Sequence, residues 1–355
     1  MHLQRRNCLV FLARAPGCEV ARNLYPRSRT MSLKTMFLLC LLPATTFAAA
    51  GQDLVTDLPK DFLPEGVEWD SANSRFLLSS IRNHSIVTVD PANGHASEFG
   101  SAPGSVLGLH IDAASETVWA VWTKFGHSFK ANRGTGLSAW SRKDGRHQGD
   151  WPLPEKDARA NLGDLLILDS HTILASDSGT GAIWQFDARN REYKAIVRPG
   201  KFKSPQGLAP GGKAGTVYLA DYSTGLYRIS LDNGEATPVA PPAGAELRGI
   251  DGLYRRENQL IAVQNGTRTP RVLLITLGNN DAIVDVRKLV ELTGGDDEPS
   301  LGTLSNDMFW FVANSQWDHY DDDLKPKPDA KLQPPRLRAL PLNVTPTPAP
   351  ASTNR

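Results

Sequence analysis

No cysteine occurs beyond position 40: Cys8, Cys18 and Cys40 are the three in a chain of 355 residues. That absence excludes a disulfide scaffold, a thiolate-bound zinc site and a cysteine nucleophile from everything downstream. The eight histidines form no HExxH motif and no close pair, so an imidazole metal site has no signature either. Past residue 50 no apolar run is long enough to cross a bilayer. Basic charge is not in excess. Seven of the 39 Lys and Arg, and one of the 38 Asp and Glu, lie in the first fifty residues, leaving 32 basic against 37 acidic side chains after them. A slightly acidic remainder has no long-range attraction to nucleic acid or to an anionic membrane, and neither is expected as a partner.

The two ends read as segments outside the folded domain. From Met31 the chain runs MSLKTMFLLCLLPATTFAAAGQ: one Lys, a short apolar core and an Ala-rich end. This is the plan of a secretory signal peptide cleaved near Ala48 or Ala50. Residues 1–30 are then an upstream extension ahead of the true start and residues 31–50 the signal peptide. A soluble, secreted or periplasmic protein is expected. Residues 343–355, NVTPTPAPASTNR, form a Pro, Thr and Ala tail expected to be disordered.

What remains, residues 51–342, repeats one phrase six times: a turn, an anchor residue, Gly or a small substitute, a short apolar run, a polar gap and a second apolar run. Pro64-Glu65-Gly66-Val67 leads to Phe76-Leu77-Leu78, and Ile250-Asp251-Gly252-Leu253 leads to Leu260-Ile261-Ala262-Val263. The anchors fall at positions 65, 107, 163, 206, 251 and 299, with steps of 42 to 56 residues. A three- or four-stranded unit of this length cannot bury its own face, so copies must stack. Propeller blades run to about 40–50 residues, and six copies predict an all-β, six-bladed propeller of four-stranded blades around a central channel. Residues 52–59, ahead of the first anchor, supply a strand that can pair with the last blade and close the ring. The 56-residue step reflects an insertion at 124–136.

Inner strands begin at one mouth of such a channel, so the anchors gather there as a ring: Glu65, Leu107, Gly163, Gln206, Asp251 and Pro299. Two carboxylates and a carboxamide make an all-oxygen donor set, which suits a hard cation such as Ca²⁺. Loops joining the second and third strands emerge on the same rim. They offer Asp177, Asp221, Asn265 and Asn314 as substrate-binding candidates, although Asp177 and Asp221 also fit Asx-type turns.

The turns at Glu65, Gln206 and Asp251 resemble the metal-ligand turns of the superfamily of senescence marker protein, gluconolactonase and luciferin-regenerating enzyme. That resemblance implies one central divalent cation and hydrolysis of a sugar lactone or related small ester, with Glu65, Gln206 and Asp251 as metal ligands. It also implies Asp251 as the catalytic base. Two family positions hold Asn. Gln206 keeps the carbonyl oxygen at one, and Gly163 supplies nothing at the other, with Asn161 and Asp164 its nearest oxygen-bearing neighbours. A competing expectation follows: a non-catalytic propeller, its metal site degraded, that binds a small molecule or a protein on the same rim.

Overall fold

Each repeat phrase folds into a four-stranded antiparallel sheet. Its apolar runs are β-rich and short, and turns break them before a helix could nucleate. The computed structural model describes residues 52–125, 134–154, 156–294 and 298–343. The extension 1–30, the signal peptide 31–50, most of the 343–355 tail and most of the 124–136 insertion lie outside those residues.

Six sheets result. Their inner strands are β2 (Pro64–Asp70), β6 (Ser105–Asp112), β10 (Leu162–Asp169), β14 (Pro205–Pro210), β18 (Ile250–Arg256) and β22 (Gly302–Ser305). Blades one to five each run outward through three further strands in chain order. Blade six is completed differently. Its outermost strand is β1 (Gln52–Val55), paired with β24 (Arg336–Pro341) in the register Gln52↔Ala339 to Val55↔Arg336. A bidentate Arg338–Asp53 pair, at 2.6 and 3.0 Å, holds that seam from its side chains. The expected six-bladed propeller with an N-terminal closing strand is thus the observed fold.

The core is divided among the seams. Six hydrophobic clusters occur, one between each pair of neighbouring blades. At the closing seam Phe76 packs at a tilt between Trp69 of its own blade one and Trp310 of blade six, at ring distances of 4.8 and 4.9 Å. Each such side chain contributes about 1.5–3 kcal/mol by leaving water.

The glycine after the anchor has a steric reason. A Cβ on Gly66 would stand 2.6 Å from the Leu107 carbonyl oxygen of the next blade, and one on Gly207 would stand 2.7 Å from that of Asp251. Inner strands converge on the axis, and only a residue without a side chain lets their backbones approach so closely. Five of the six inner strands also carry a register shift at the anchor, as between Pro64 and Val67 or between Ile250 and Gly252. Such a bulge re-aims one side chain relative to the pleat, and here it aims the anchors at the channel.

Candidate metal and substrate site

Glu65 and Asp251 are brought to the same mouth of the channel. Asn265 links them: its Nδ2 donates to Asp251 Oδ2 at 2.8 Å and to the Pro299 carbonyl at 3.0 Å, while neighbouring Ser300 donates its hydroxyl to the Glu65 carbonyl at 2.6 Å. Trp317, on a 3₁₀ turn Trp317–His319, donates its indole N–H to Glu65 Oε2 at 2.7 Å. Each carboxylate therefore has one fixed oxygen and one facing the mouth.

The electrostatics of the pair are unusual. Burial pushes the Glu65 carboxyl well above its ordinary range, and the charges of Asp251, Glu298 and Asp164 push the same way against the Trp317 hydrogen bond. Asp251 is raised to about 6, by burial first and also by Asp164, with the Asn265 bond opposing. Among the described residues no Lys or Arg is a charge acting on either group. Glu298, one residue before the expected blade-six anchor, is raised to about 7 by burial and by Asp318. A buried carboxylate beside a half-buried one, with no basic counter-ion among the described residues, is costly in isolation and is a candidate functional site.

The donors fit a hard cation. Besides the free oxygens of Glu65 and Asp251, the carbonyl Oδ1 of Asn265 ends buried with no hydrogen-bond partner. Gln206, its Nε2 held 3.2 Å from Ser204 Oγ, turns its Oε1 over Gly163, where an added Cβ would sit 3.1 Å away. Carboxylate and carboxamide oxygens are the ligands that Ca²⁺ selects. Among the described residues no three His, Cys, Asp or Glu side chains cluster tightly enough to hold a metal by themselves. Carboxamide oxygens and water would have to complete any coordination sphere.

Below this mouth the channel carries a second polar set that the repeat phrase does not flag. His110 Nδ1 lies 3.2 Å from Glu68 Oε2, and Thr303 donates to the same carboxylate at 3.1 Å. Burial would lower the imidazole, but the adjoining Glu68 and the charge of Asp164 override it and raise His110 to about 9. Asp164, buried, accepts from the Leu208 amide at 3.4 Å. It is felt by Glu65 and Asp251 on one side and by His110 on the other, so it supplies the blade-three carboxylate that Gly163 lacks. An acid or imidazole one or three residues past an anchor is the signal that could have found these groups.

Three of the four expected substrate-binding residues need correction. Asp177 is fully buried and accepts from the amides of Asn161, Gly179 and Thr180, the Thr180 hydroxyl and the Trp184 indole. Asp221, equally buried, accepts from the amides of Lys203, Ser204, Ser223 and Thr224. Asn314 accepts from the Arg336 amide at 2.7 Å and donates to the Pro334 carbonyl at 3.0 Å. The same strand-end position in other blades is Ser80 and Gln264, both fully buried and both bonded to the loop that enters the inner strand. Asp177 and Asp221 belong to a repeated strand-end fastener whose side chains are bonded internally, while Asn314, two residues past the strand Met308–Val312, is bonded to the segment that enters β24. Of the four, only Asn265 adjoins the acidic pair. Asp177→Ala is accordingly expected to destabilise the fold by about 2–4 kcal/mol, because several donors lose a buried acceptor, while leaving cation affinity unchanged. Thermal melting and calcium titration of the variant check both halves.

A scan against protein families finds no match for the sequence, and no curated protein matches it. Solved structures do. A gluconolactonase from Xanthomonas campestris superposes with a TM-score of 0.53 at 13% identity, covering 82% of this chain and 90% of its own. The calcium-binding protein regucalcin from Agrobacterium tumefaciens superposes at 0.55 with 15% identity, over 82% and 93%. The PQQ-bound aldose sugar dehydrogenase from Streptomyces coelicolor superposes at 0.54 with 16% identity, over 82% and 98%. At such identities the likeness is one of fold, and one fold here carries different chemistries.

Proposed function

We propose that the chain is a gluconolactonase-like, divalent-cation-dependent hydrolase of a sugar lactone or related small ester, secreted or periplasmic, with its site at the channel mouth around Glu65 and Asp251. The observation that carries this reading is the Glu65–Asp251 carboxylate pair, uncompensated by any basic side chain among the described residues, beside an unpartnered carboxamide oxygen. A bound divalent cation, with Ca²⁺ favoured by the all-oxygen donors, supplies Lewis-acid polarisation of the lactone carbonyl.

The protein's own residues do the rest. Asp251, raised to about 6, is ionised at neutral pH yet basic enough to take a proton from the attacking water. Asn265 fixes one oxygen of that carboxylate and leaves the other for the proton. Trp317 orients Glu65 in the same way, and Glu65, Gln206 and Asp251 are the ligands that would hold the cation. Water oxygen bonds to the acyl carbon, the ring C–O bond breaks, and the ring oxygen leaves with a proton to give the hydroxy acid.

The second reading, a non-catalytic propeller that binds a small molecule or protein on this rim, draws on Gly163, which brings no donor to the ring. Metal analysis separates the two. A hydrolase is expected to carry about one divalent ion per chain, and chelation should abolish hydrolysis of a sugar lactone and lower the melting temperature. A metal-free protein whose melting temperature ignores both chelator and added Ca²⁺ would refute the hydrolase.

A further inference from the structure

Beside the acidic pair, the blade-four and blade-five loops build a support for one aromatic side chain. Tyr222 follows the buried fastener Asp221, and its backbone is clamped on both sides: its amide donates to the Ser204 carbonyl at 2.8 Å and its carbonyl accepts from the Gly249 amide at 2.7 Å. Gly249, with a left-handed φ of +75°, lies against Gly266, whose amide donates to the Gly249 carbonyl at 3.0 Å. A Cβ on Gly266 would stand 2.5 Å from both Cζ and the hydroxyl oxygen of Tyr222, and 2.6 Å from Gly249 Cα. Two glycines in contact thus form a saddle across which the phenol lies. Gly266 directly follows Asn265, the residue that holds Asp251.

The position is otherwise hard to account for. The ring is half-buried, and its hydroxyl bonds to no other described residue, so the saddle is not there to satisfy an internal hydrogen bond. Asp251, Glu298 and Asp318 all face it closely enough to help burial push the phenol up to about 12, which keeps it a neutral donor at any physiological pH. On the other flank of the pair stands the half-exposed Trp317. The Tyr222 ring, its phenol donor and several carboxylate and carboxamide acceptors match a ring that carries several hydroxyl groups.

We propose that Tyr222 is a positioning residue that donates to a hydroxyl of a neutral, polyhydroxylated ring seated over Asp251. The inference deepens the hydrolase reading above and takes its site from it. The test uses the saturated ring 1,5-anhydroglucitol, which has no carbonyl to hydrolyse, titrated calorimetrically into the calcium-loaded protein.

Wild type should bind it, and Tyr222→Phe should bind about fivefold to tenfold more weakly, as expected for one lost neutral hydrogen bond, with an unchanged melting temperature and unchanged Ca²⁺ affinity. Gly266→Ala, which pushes the ring off its saddle, should weaken binding at least as much. Undiminished binding by Tyr222→Phe, or no binding by the wild type, overturns the proposal. If binding depends on Tyr222 while no lactone is hydrolysed, the positioning role stands and the hydrolase reading falls.

Discussion

Asp251→Asn is expected to lose about 100- to 10,000-fold in lactone hydrolysis, the range associated with removal of a general base. The substitution is close to isosteric and keeps one carbonyl oxygen for the Asn265 amide while turning an –NH2 to the mouth, so a loss of this size in a variant that still binds Ca²⁺ by calorimetric titration would report proton transfer and not loss of the cation or collapse of the loop. In the metal-free protein, removal of a charge that no basic side chain among the described residues neutralises should leave the folded state at least as stable as before. The pH profile supplies the second readout. A base must be unprotonated to act, and a bound cation would pull the metal-free value of about 6 downward, so kcat/KM of the calcium-loaded wild type should rise with pH through a value below 6 and level off above it. In the variant that limb should vanish. Activity within about threefold of wild type, with the limb intact, would remove Asp251 from the chemistry and leave it as a ligand or a structural acid.

How much of this was legible in the sequence depended on whether a side chain's partners were near it in the chain. The blade count followed from spacing, because each blade is a local unit and its turn, glycine and apolar runs are contiguous. Glu65 and Asp251 were legible for the same reason, since each is the residue before the glycine that lets inner strands meet. Asp177, Asp221 and Asn314 were not, because their donors come from loops 16 to 22 residues away or from turns whose closure only coordinates reveal. Gly163 read as a gap, yet Asp164, one residue on, supplies a buried charge, because the register shift between Leu162 and Asp164 decides which side chain meets the channel. The bond from Trp317 to Glu65 spans 252 residues and joins an irregular turn between the second and third strands of blade six to the first inner strand. No repeat phrase contains that pairing; it exists only because the ring closes.

Glu65→Gln is expected to stabilise the metal-free protein at pH 8 by about 1–3 kcal/mol, or roughly 3–8 °C in melting temperature, while abolishing stabilisation by Ca²⁺. Glu65 is 7% exposed and shares its mouth with Asp251, Glu298 and Asp164, so ionising it in the folded chain is opposed by burial and by three like charges. Both mouth carboxyls are raised on folding. Their contribution to stability is therefore fully present below the ordinary carboxylate value of about 4 and is lost as pH rises through the folded value, which for Asp251 is about 6. His110 has the same sign for a different reason: raised to about 9, it favours the fold below its ordinary value of about 6.5 and loses that contribution as pH climbs toward 9. Metal-free wild type should accordingly melt at a lower temperature at pH 8 than at pH 5. Glu65→Gln should remove the Glu65 share of that slope and leave the shares due to Asp251, Glu298 and His110. Saturating Ca²⁺ should recover the loss in wild type by binding only the folded state, and should do so weakly or not at all in the variant. A variant that instead melts lower than wild type at pH 8 in chelator would identify Glu65 as an anchor for the Trp317 turn, its hydrogen bond outweighing the repulsion around it. The mouth would then be a structural clasp on the closed ring and not a site kept strained for a cation.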